Sequence, residues 1–301
     1  MEPTGNLPNV QLAIVILAWN HIDDTLECLD SVLPAAGENS RIIVVDNGST
    51  DGTADWIREA YPQVEIISSP ENVGIARGYN LGIARALDLG AEYIAVMNND
   101  VIVAPDLFRA MESAMDAAPD VGVVVPKIYH YYGSRTRLWC AGMTWRSFPP
   151  AITFIGGDQE DGPAFAQPRD LDYATSCVLL LKAEAIRQAG PFDPKYYFYF
   201  DDHDLCERFR RAGYRVRYAP DAQLWHKVSV STQKSDKPAK WWYVMGQSTV
   251  RFFWRYKGLR VMALAAAWFT VRESLKLKFS RLPPYWAGYI QGVADHLGWV
   301  P

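Results

Sequence analysis

Two short acidic segments carry the residues best suited to chemistry. The first, Asn98-Asn99-Asp100, follows the apolar run Tyr93 to Met97, so a carboxylate stands just past an expected strand. A hard oxygen ligand there can hold Mg2+ or Mn2+ together with diphosphate oxygens. His226, after Gln223-Leu224-Trp225, offers a neutral imidazole as a second ligand that favours manganese tolerance. A histidine at a strand end can equally be held by a hydrogen bond alone. The second segment, Asp201-Asp202-His203-Asp204, lies behind an aromatic wall, Tyr196 to Phe200. Adjacent carboxylates repel one another and lose water, which raises one pKa toward the range of a general base. Asp204 with Glu207 suits a capping box at the start of a helix, a role that leaves Asp202 unexplained.

Other residues suit ligand binding as well as structure. Asp46 ends the run Arg41 to Val45 and opens the turn Asn47-Gly-Ser-Thr-Asp-Gly52, where a carboxylate can face a nucleobase or merely cap a helix. In Asn72-Val-Gly-Ile-Ala-Arg-Gly-Tyr-Asn80 two glycines four apart bare one helix face, either for a ligand, with Arg77 reaching a diphosphate, or for close helix packing. Neither a Gly-x-Gly-x-x-Gly fingerprint nor a phosphate-loop Gly-Lys-Ser/Thr follows the first expected strand, which argues against hydride transfer and ATP hydrolysis.

The elements that must position these groups read as an α/β fold. Strands at Leu12–Leu17, Arg41–Val45, Val64–Ser68 and Tyr93–Met97 alternate with helical patterns, the signature of a mostly parallel sheet with helices packed on it. Ligands of such sheets collect beyond the carboxyl ends of the strands, so Trp19-Asn20, Asp46 and Asp100 should converge on one crevice. Past Pro105 we expect a helix to Ala118, a strand at Val121–Val125, and an irregular aromatic middle whose segment Gly156 to Pro163 reads as a mobile loop over the site. Order resumes at Tyr173–Leu181, with helices at Ala183–Ala189 and from near Asp204, then strands at Tyr214–Tyr218 and Gln223–Trp225.

Composition narrows the class further. A chain of 301 residues that is 49% hydrophobic can bury a large core, while no run approaches the roughly 18 apolar residues of a membrane span. Cys28, Cys140, Cys177 and Cys206 are scattered, which suggests buried thiols rather than a zinc site or disulfides. The start, Met1 to Gln11, lacks the order of a secretory leader, so a cytoplasmic location is expected. The net charge of -4 hides an asymmetry: residues 236–301 carry ten Lys/Arg against three Asp/Glu, and six of the eleven Trp.

In series, Val15-Ile-Leu-Ala-Trp-Asn20, Val44-Val-Asp-Asn-Gly-Ser-Thr-Asp-Gly52, Asn72 to Asn80, Asn98-Asn-Asp100, Asp201-Asp-His-Asp-Leu-Cys206 and Trp225-His226 resemble the family-2 inverting glycosyltransferases, especially the rhamnosyltransferase-like branch of bacterial cell-surface polysaccharide synthesis. The resemblance covers most of residues 10 to 235 and implies a GT-A, Rossmann-like fold. Residues 1–235 would form the catalytic domain, with a nucleotide-sugar half at about 10–130 and an acceptor half at about 131–235. A basic, aromatic helical tail would follow at 236–301.

The same resemblance assigns roles. Asp46 would meet a pyrimidine base, with Ala18, Trp19, Asn20, Gly48, Asn72, Gly74, Arg77, Gly78, Asn80, Asn98 and Asn99 around the donor. Asp100 would hold Mg2+ or Mn2+, and His226 would join the metal or diphosphate shell. Asp202 would be the catalytic base and Asp201, replacing the family's usual Glu, the runner-up. Trp139, Thr175, Ser176 and Asp201 would border the acceptor. Asn98 stands where many relatives carry Asp, which places more of the metal binding on Asp100, and Ser176 stands where relatives often have Gly.

The implied reaction is metal-dependent, inverting transfer of a sugar from dTDP-rhamnose, or from a UDP-sugar, to a glycan or lipid-linked glycan. Two other classes compete. A non-catalytic sugar-nucleotide-binding subunit would not need Asp100, Asp202 and His226 together, and a sugar-1-phosphate nucleotidyltransferase would need a Gly-rich, basic triphosphate loop that is missing after the first strand. In the tail, Trp241-Trp242, Arg251 to Lys257 and Leu259 to Leu277 read as amphipathic helices. They suit an anionic membrane surface at the inner face of the plasma membrane better than nucleic acid, with a docked helical cap or a homodimer contact as the alternative.

Overall fold

A computed structural model describes residues 10–228 and 238–298. Most of the polar start, and the expected boundary near residue 235, lie outside the described residues. Near-continuous apolar runs form the buried strands β1 (Leu12–Ala18), β2 (Ser40–Asp46) and β4 (Tyr93–Asn98), with the half-exposed β3 (Glu65–Ser68) at the sheet edge. Helices α1 (Ile22–Ala35), α2 (Thr53–Ala60) and α3 (Ile75–Asp88) connect them, and β3, β2, β1 and β4 lie side by side and parallel. Their ends are level, for Ala18 pairs with Asp46 and Leu17 with Asn98.

Beyond β4 come β5 (Val101–Val103), α4 (Leu107–Asp116) and β6 (Val121–His130). The expected irregular middle instead contains four short strands: β7 (Leu138–Cys140), the hairpin β8 (Met143–Arg146) and β9 (Ala151–Phe154), and β10 (Arg169–Leu171). Within it Asp161 is tied down by Lys127 and Tyr129, at 2.9 and 2.7 Å. The segment expected to lie loose over the site is therefore fastened to β6. β11 (Val178–Lys182), α5 (Ala183–Ala189), α6 (Asp201–Arg211) and β12 (Arg215–His226) complete this part. The two strands expected within 214–225 are one, irregular between Ala219 and Gln223.

The main sheet runs β10-β12-β6-β11-β4-β1-β2-β3. β11 is antiparallel to both β4 and β6, so β6 and its parallel neighbour β12 point the same way as β4. The carboxyl ends of β1, β2, β4 and β12 and the amino end of β11 thus share one edge.

Three helices follow: α7 (Ala239–Lys257), α8 (Leu259–Leu275) and α9 (Leu282–Leu297). α7 and α9 touch almost backbone to backbone, because a Cβ on Gly246 would strike the Tyr285 carbonyl and one on Gly288 the Tyr243 carbonyl. α7 docks on the sheet-bearing part. Phe252 stacks on Phe200 at 5.2 Å, Phe253 tilts against Trp145 at 5.9 Å, and Ser248 donates to the Phe198 carbonyl at 3.0 Å.

Candidate active site

At the shared edge the first turn is built by Asn20 and Asp46. Asn20 takes a left-handed conformation, donates its N–H to Ser49 Oγ at 2.8 Å, and accepts Thr50 N–H on its side chain at 2.8 Å. Asp46 is buried and accepts Ser49 N–H at 3.0 Å. Ala18 fixes the depth of this turn by accepting Asn47 N–H at 2.8 Å, while Trp19 stays exposed at the rim.

The glycines of the next motif serve packing. A Cβ on Gly48 would strike the backbone at Glu71 and Asn72, one on Gly78 would press into Leu17 of β1, and one on Gly74 would meet Tyr197. Asn72 Oδ1 gathers Gly74 N–H, Asn47 Nδ2 and the Tyr197 hydroxyl. Asn80 clamps Phe192, donating to its carbonyl at 2.8 Å and accepting its N–H at 3.0 Å, and Arg77 donates to the Pro194 carbonyl at 3.2 Å. This motif therefore carries the 190–197 loop against α3. The polar atoms of Asn80 are already spent there.

Asp100 and His226 lie side by side. Val101 pairs with His226 across β5 and β12, Lys227 N–H donates to the Asp100 carbonyl at 2.9 Å, and His226 Nε2 lies 3.2 Å from Asp100 Oδ1. Both side chains are buried, and Trp139 stands edge-on to the imidazole at 4.5 Å. Trp139, expected on the acceptor side, thus also walls the Asp100–His226 pair. Asn99 bonds to Thr25 Oγ1 at 2.8 Å and steadies the turn. The donor set is one hard oxygen and one borderline nitrogen, and no cluster of three or more His, Cys, Asp or Glu that could hold a metal occurs among the described residues. Such a pair fits a divalent ion whose remaining ligands come from a bound diphosphate and water.

The second acidic segment differs from expectation in its helix start. α6 begins at Asp201, not near Asp204, because Tyr199 and Phe200 both adopt left-handed conformations and turn the chain earlier. The capping box does not form. Asp204 lies within the helix and receives Arg208 Nε at 2.7 Å and the Tyr256 hydroxyl at 2.6 Å, while Glu207 pairs with Lys257 at 2.7 Å and accepts the Tyr173 hydroxyl.

Asp201 and Asp202 face the strand edge at Ser176. Ser176 N–H donates to Asp202 Oδ2 at 3.1 Å, and its hydroxyl lies 3.5 Å from Asp201 Oδ2. Thr175 accepts Cys177 N–H at 3.4 Å in the same turn. His203 N–H donates to Asp202 Oδ1 at 2.8 Å, and its imidazole Nδ1 is 2.9 Å from the same oxygen. The pair splits in character. Burial, then the neighbouring Asp202 charge, pushes the Asp201 carboxyl well up. Burial also opposes charge on Asp202, but the adjacent His203 and the hydrogen bonds from Ser176 and His203 N–H outweigh it and hold this carboxyl below its ordinary value. The two carboxyls are thus pushed in opposite directions, Asp201 up and Asp202 down.

Tyr79 joins the two centres. Its hydroxyl lies 2.8 Å from Asn98 Oδ1 and 3.0 Å from the Ser176 carbonyl, and Asn98 N–H donates to the Cys177 carbonyl at 3.0 Å. Within the 72–80 motif a buried tyrosine one turn into a helix carries no signal of this bridge. Nor did any sequence pattern point to Tyr256 and Lys257 as partners of α6. All four cysteines are free and buried, as expected.

The carboxyl edge of the parallel strands thus carries a carboxylate–imidazole pair, Asp100 and His226, and a pair of adjacent carboxylates, Asp201 and Asp202, an arrangement suited to a group transferase acting on a phosphorylated donor. The model of "Glycosyl transferase family 2" matches residues 13–176, more than half of the chain, and the chain belongs to that family. It is 26% identical over 213 residues to an N-acetylglucosaminyl-diphospho-decaprenol L-rhamnosyltransferase of Mycobacterium tuberculosis, covering 64% of this chain and 67% of that protein. It is 25% identical over 187 residues to a pre-mycofactocin glycosyltransferase of the same organism, covering 62% of this chain and 37% of the relative. Among solved structures, TarS 1-349 of S. aureus superposes with a TM-score of 0.61 at 14% identity, covering 95% of this chain and 82% of that one. The mannosyltransferase PcManGT of Pyrobaculum calidifontis, solved with GDP-Man and Mn2+, gives 0.54 at 17% identity over 96% and 87%. The fold is GT-A, with a C-terminal helical region.

Proposed function

We propose that the chain transfers a sugar, with inversion at the anomeric carbon, from a nucleoside-diphosphate sugar to a hydroxyl of a glycan or lipid-linked glycan in cell-surface polysaccharide synthesis. dTDP-rhamnose is the favoured donor and a UDP-sugar the second. The observation that carries the reading is the alignment of Asp46, the Asp100–His226 pair and the Asp201–Asp202 pair along one sheet edge. Residues up to about 235 form the catalytic domain in this reading, and 236–301 its tail.

The donor lies over the carboxyl ends of β1, β2 and β4, its base toward Asp46 and its diphosphate toward Asp100. Ala18, Trp19, Asn20, Gly48, Asn98 and Asn99 shape that bed, with Arg77 at its edge. The acceptor enters between Thr175-Ser176, Trp139 and the start of α6. Asp202, whose carboxyl is held below its ordinary value, takes the proton of the acceptor hydroxyl. As that oxygen bonds to the anomeric carbon, the carbon–oxygen bond to the diphosphate breaks and the nucleoside diphosphate leaves with the electron pair. Burial and the neighbouring Asp202 push the Asp201 carboxyl up, which disfavours a second charge beside the base. Asp100 and His226 would hold Mg2+ or Mn2+, which when bound stabilises negative charge on the departing diphosphate. The Mn2+ present with the mannosyltransferase neighbour supports a divalent ion here.

The tail is read as the element that meets an anionic membrane at the inner face of the plasma membrane. A relative named for a decaprenol-linked substrate supports that reading. The test is a donor panel with the purified protein, scoring nucleoside diphosphate release with and without Mg2+ or Mn2+. Release that is fastest from dTDP-rhamnose and lost in chelator is expected. No release from any donor, with candidate acceptors present, overturns the enzyme reading in favour of a binding subunit.

A further inference from the structure

Helix α8 is apolar on two faces, and the described protein covers only one of them. Inward, Ala266 and Phe269 pack with Trp242 of α7 and Tyr285 of α9. Outward, Leu264, Val271 and Leu275 follow one another at helical spacing, 48%, 49% and 77% exposed. The stripe continues past the helix end through Leu277 and Phe279, 77% and 56% exposed. A helix apolar all round is at home only where both faces leave water. With 17 residues α8 is about 25 Å long, and no described helix is long and apolar enough to cross a membrane.

Charge identifies what covers the open face. From Leu259 to Ala294 the one carboxylate is Glu273, which is buried and bonded to Arg272 and Arg281. Arg260, Lys276 and Lys278 add further cations, two of them interleaved with Leu275, Leu277 and Phe279. A second copy of the chain would bring the same cations to the contact and be repelled. An anionic bilayer offers the apolar depth and the opposite charge together.

We propose that the outer face of α8 and the Leu275-to-Phe279 corner lie in the interface of an anionic bilayer, with the helix in the membrane plane and Lys276 and Lys278 among the headgroups. The proposal rests on the membrane reading above and assigns that contact to α8 rather than to α7, whose apolar residues are used against the catalytic part. The test is co-sedimentation of the full chain with vesicles of phosphatidylcholine containing phosphatidylglycerol, and with phosphatidylcholine alone. The wild type should bind the anionic vesicles. Leu275→Ser/Leu277→Ser/Phe279→Ser should bind them at least about tenfold more weakly, since each exposed side chain loses several buried carbons, with nucleoside diphosphate release in solution unchanged. Lys276→Glu/Lys278→Glu should weaken binding without removing apolar surface. If the wild type ignores anionic vesicles, the membrane reading falls and this proposal with it. If the wild type binds and both variants bind equally well, the reading stands and the α8 assignment is wrong. A triple variant that instead loses a concentration-dependent dimer, with vesicle binding intact, assigns the face to a second copy and overturns the proposal.

Discussion

The two acidic centres at the sheet edge are held by different means. Asp100 and His226 are fixed by backbone: β5 pairs with β12, and Lys227 N–H closes the ladder onto the Asp100 carbonyl. Asp201 and Asp202 sit on the first turn of a helix that is held by side chains, many of them from outside the family-matched region. Arg255 and Tyr256 reach Asp204, Lys257 reaches Glu207, and Phe252 covers Phe200. A centre built on a sheet keeps its geometry by itself, whereas one built on a docked helix depends on what that helix is docked against.

Four changes probe this contrast. The largest loss of turnover is expected from Asp202→Asn, which keeps the hydrogen bond from Ser176 but removes the base. kcat should fall by about 10²-fold or more while donor KM stays near that of the wild type; wild-type turnover would disprove the assignment. His226→Asn should leave the fold intact and raise the Mg2+ or Mn2+ concentration for half-activation by roughly 10- to 100-fold. An unchanged metal titration would remove His226 from the shell.

Lys257→Met should affect only the helix-borne centre. It strips the cation from a buried carboxylate, at a cost of about 3 kcal/mol at neutral pH, and lowers kcat without touching metal half-activation. Burial opposes charge on Glu207, but Lys257 and Tyr173 hold the carboxyl below its ordinary value, so this stabilisation is present at neutral pH and is lost as pH falls through the folded-state pKa. Urea unfolding of variant and wild type should therefore converge in acid. The smallest effect is expected from His203→Gln. Without the imidazole beside Asp202, burial is less opposed and the carboxyl pKa rises, so the acid limb of kcat/KM should move to higher pH. A uniform loss at every pH, with the limb in place, would make His203 only a packing residue.

The sheet half was readable because each buried strand is a continuous apolar run closed by a polar turn, and the level ends of β1, β2 and β4 then follow from the α/β pattern. The residues 138–171 were not, since strands of three or four residues around Trp139, Trp145 and Arg169 are too short to show an alternation. The helix start at Asp201 was missed for a physical reason: two aromatic residues in left-handed backbone conformations are not a recognisable turn signal. Asp204 then looked like a cap because two of its partners, Arg255 and Tyr256, lie about fifty residues away. Tail residues were legible by composition alone, which does not distinguish the face that docks from the face that stays open. α7 proved to be the docked part of an extension read as amphipathic throughout.

The glycine contacts between α7 and α9 bear on how the molecule carries load. At Gly246 and Gly288 the two backbones meet with no side chain between them to yield or change rotamer, so the pair resists shear as one body. The same rigid pair is what braces α6, since α7 carries Arg255, Tyr256 and Lys257, the partners of Asp204 and Glu207.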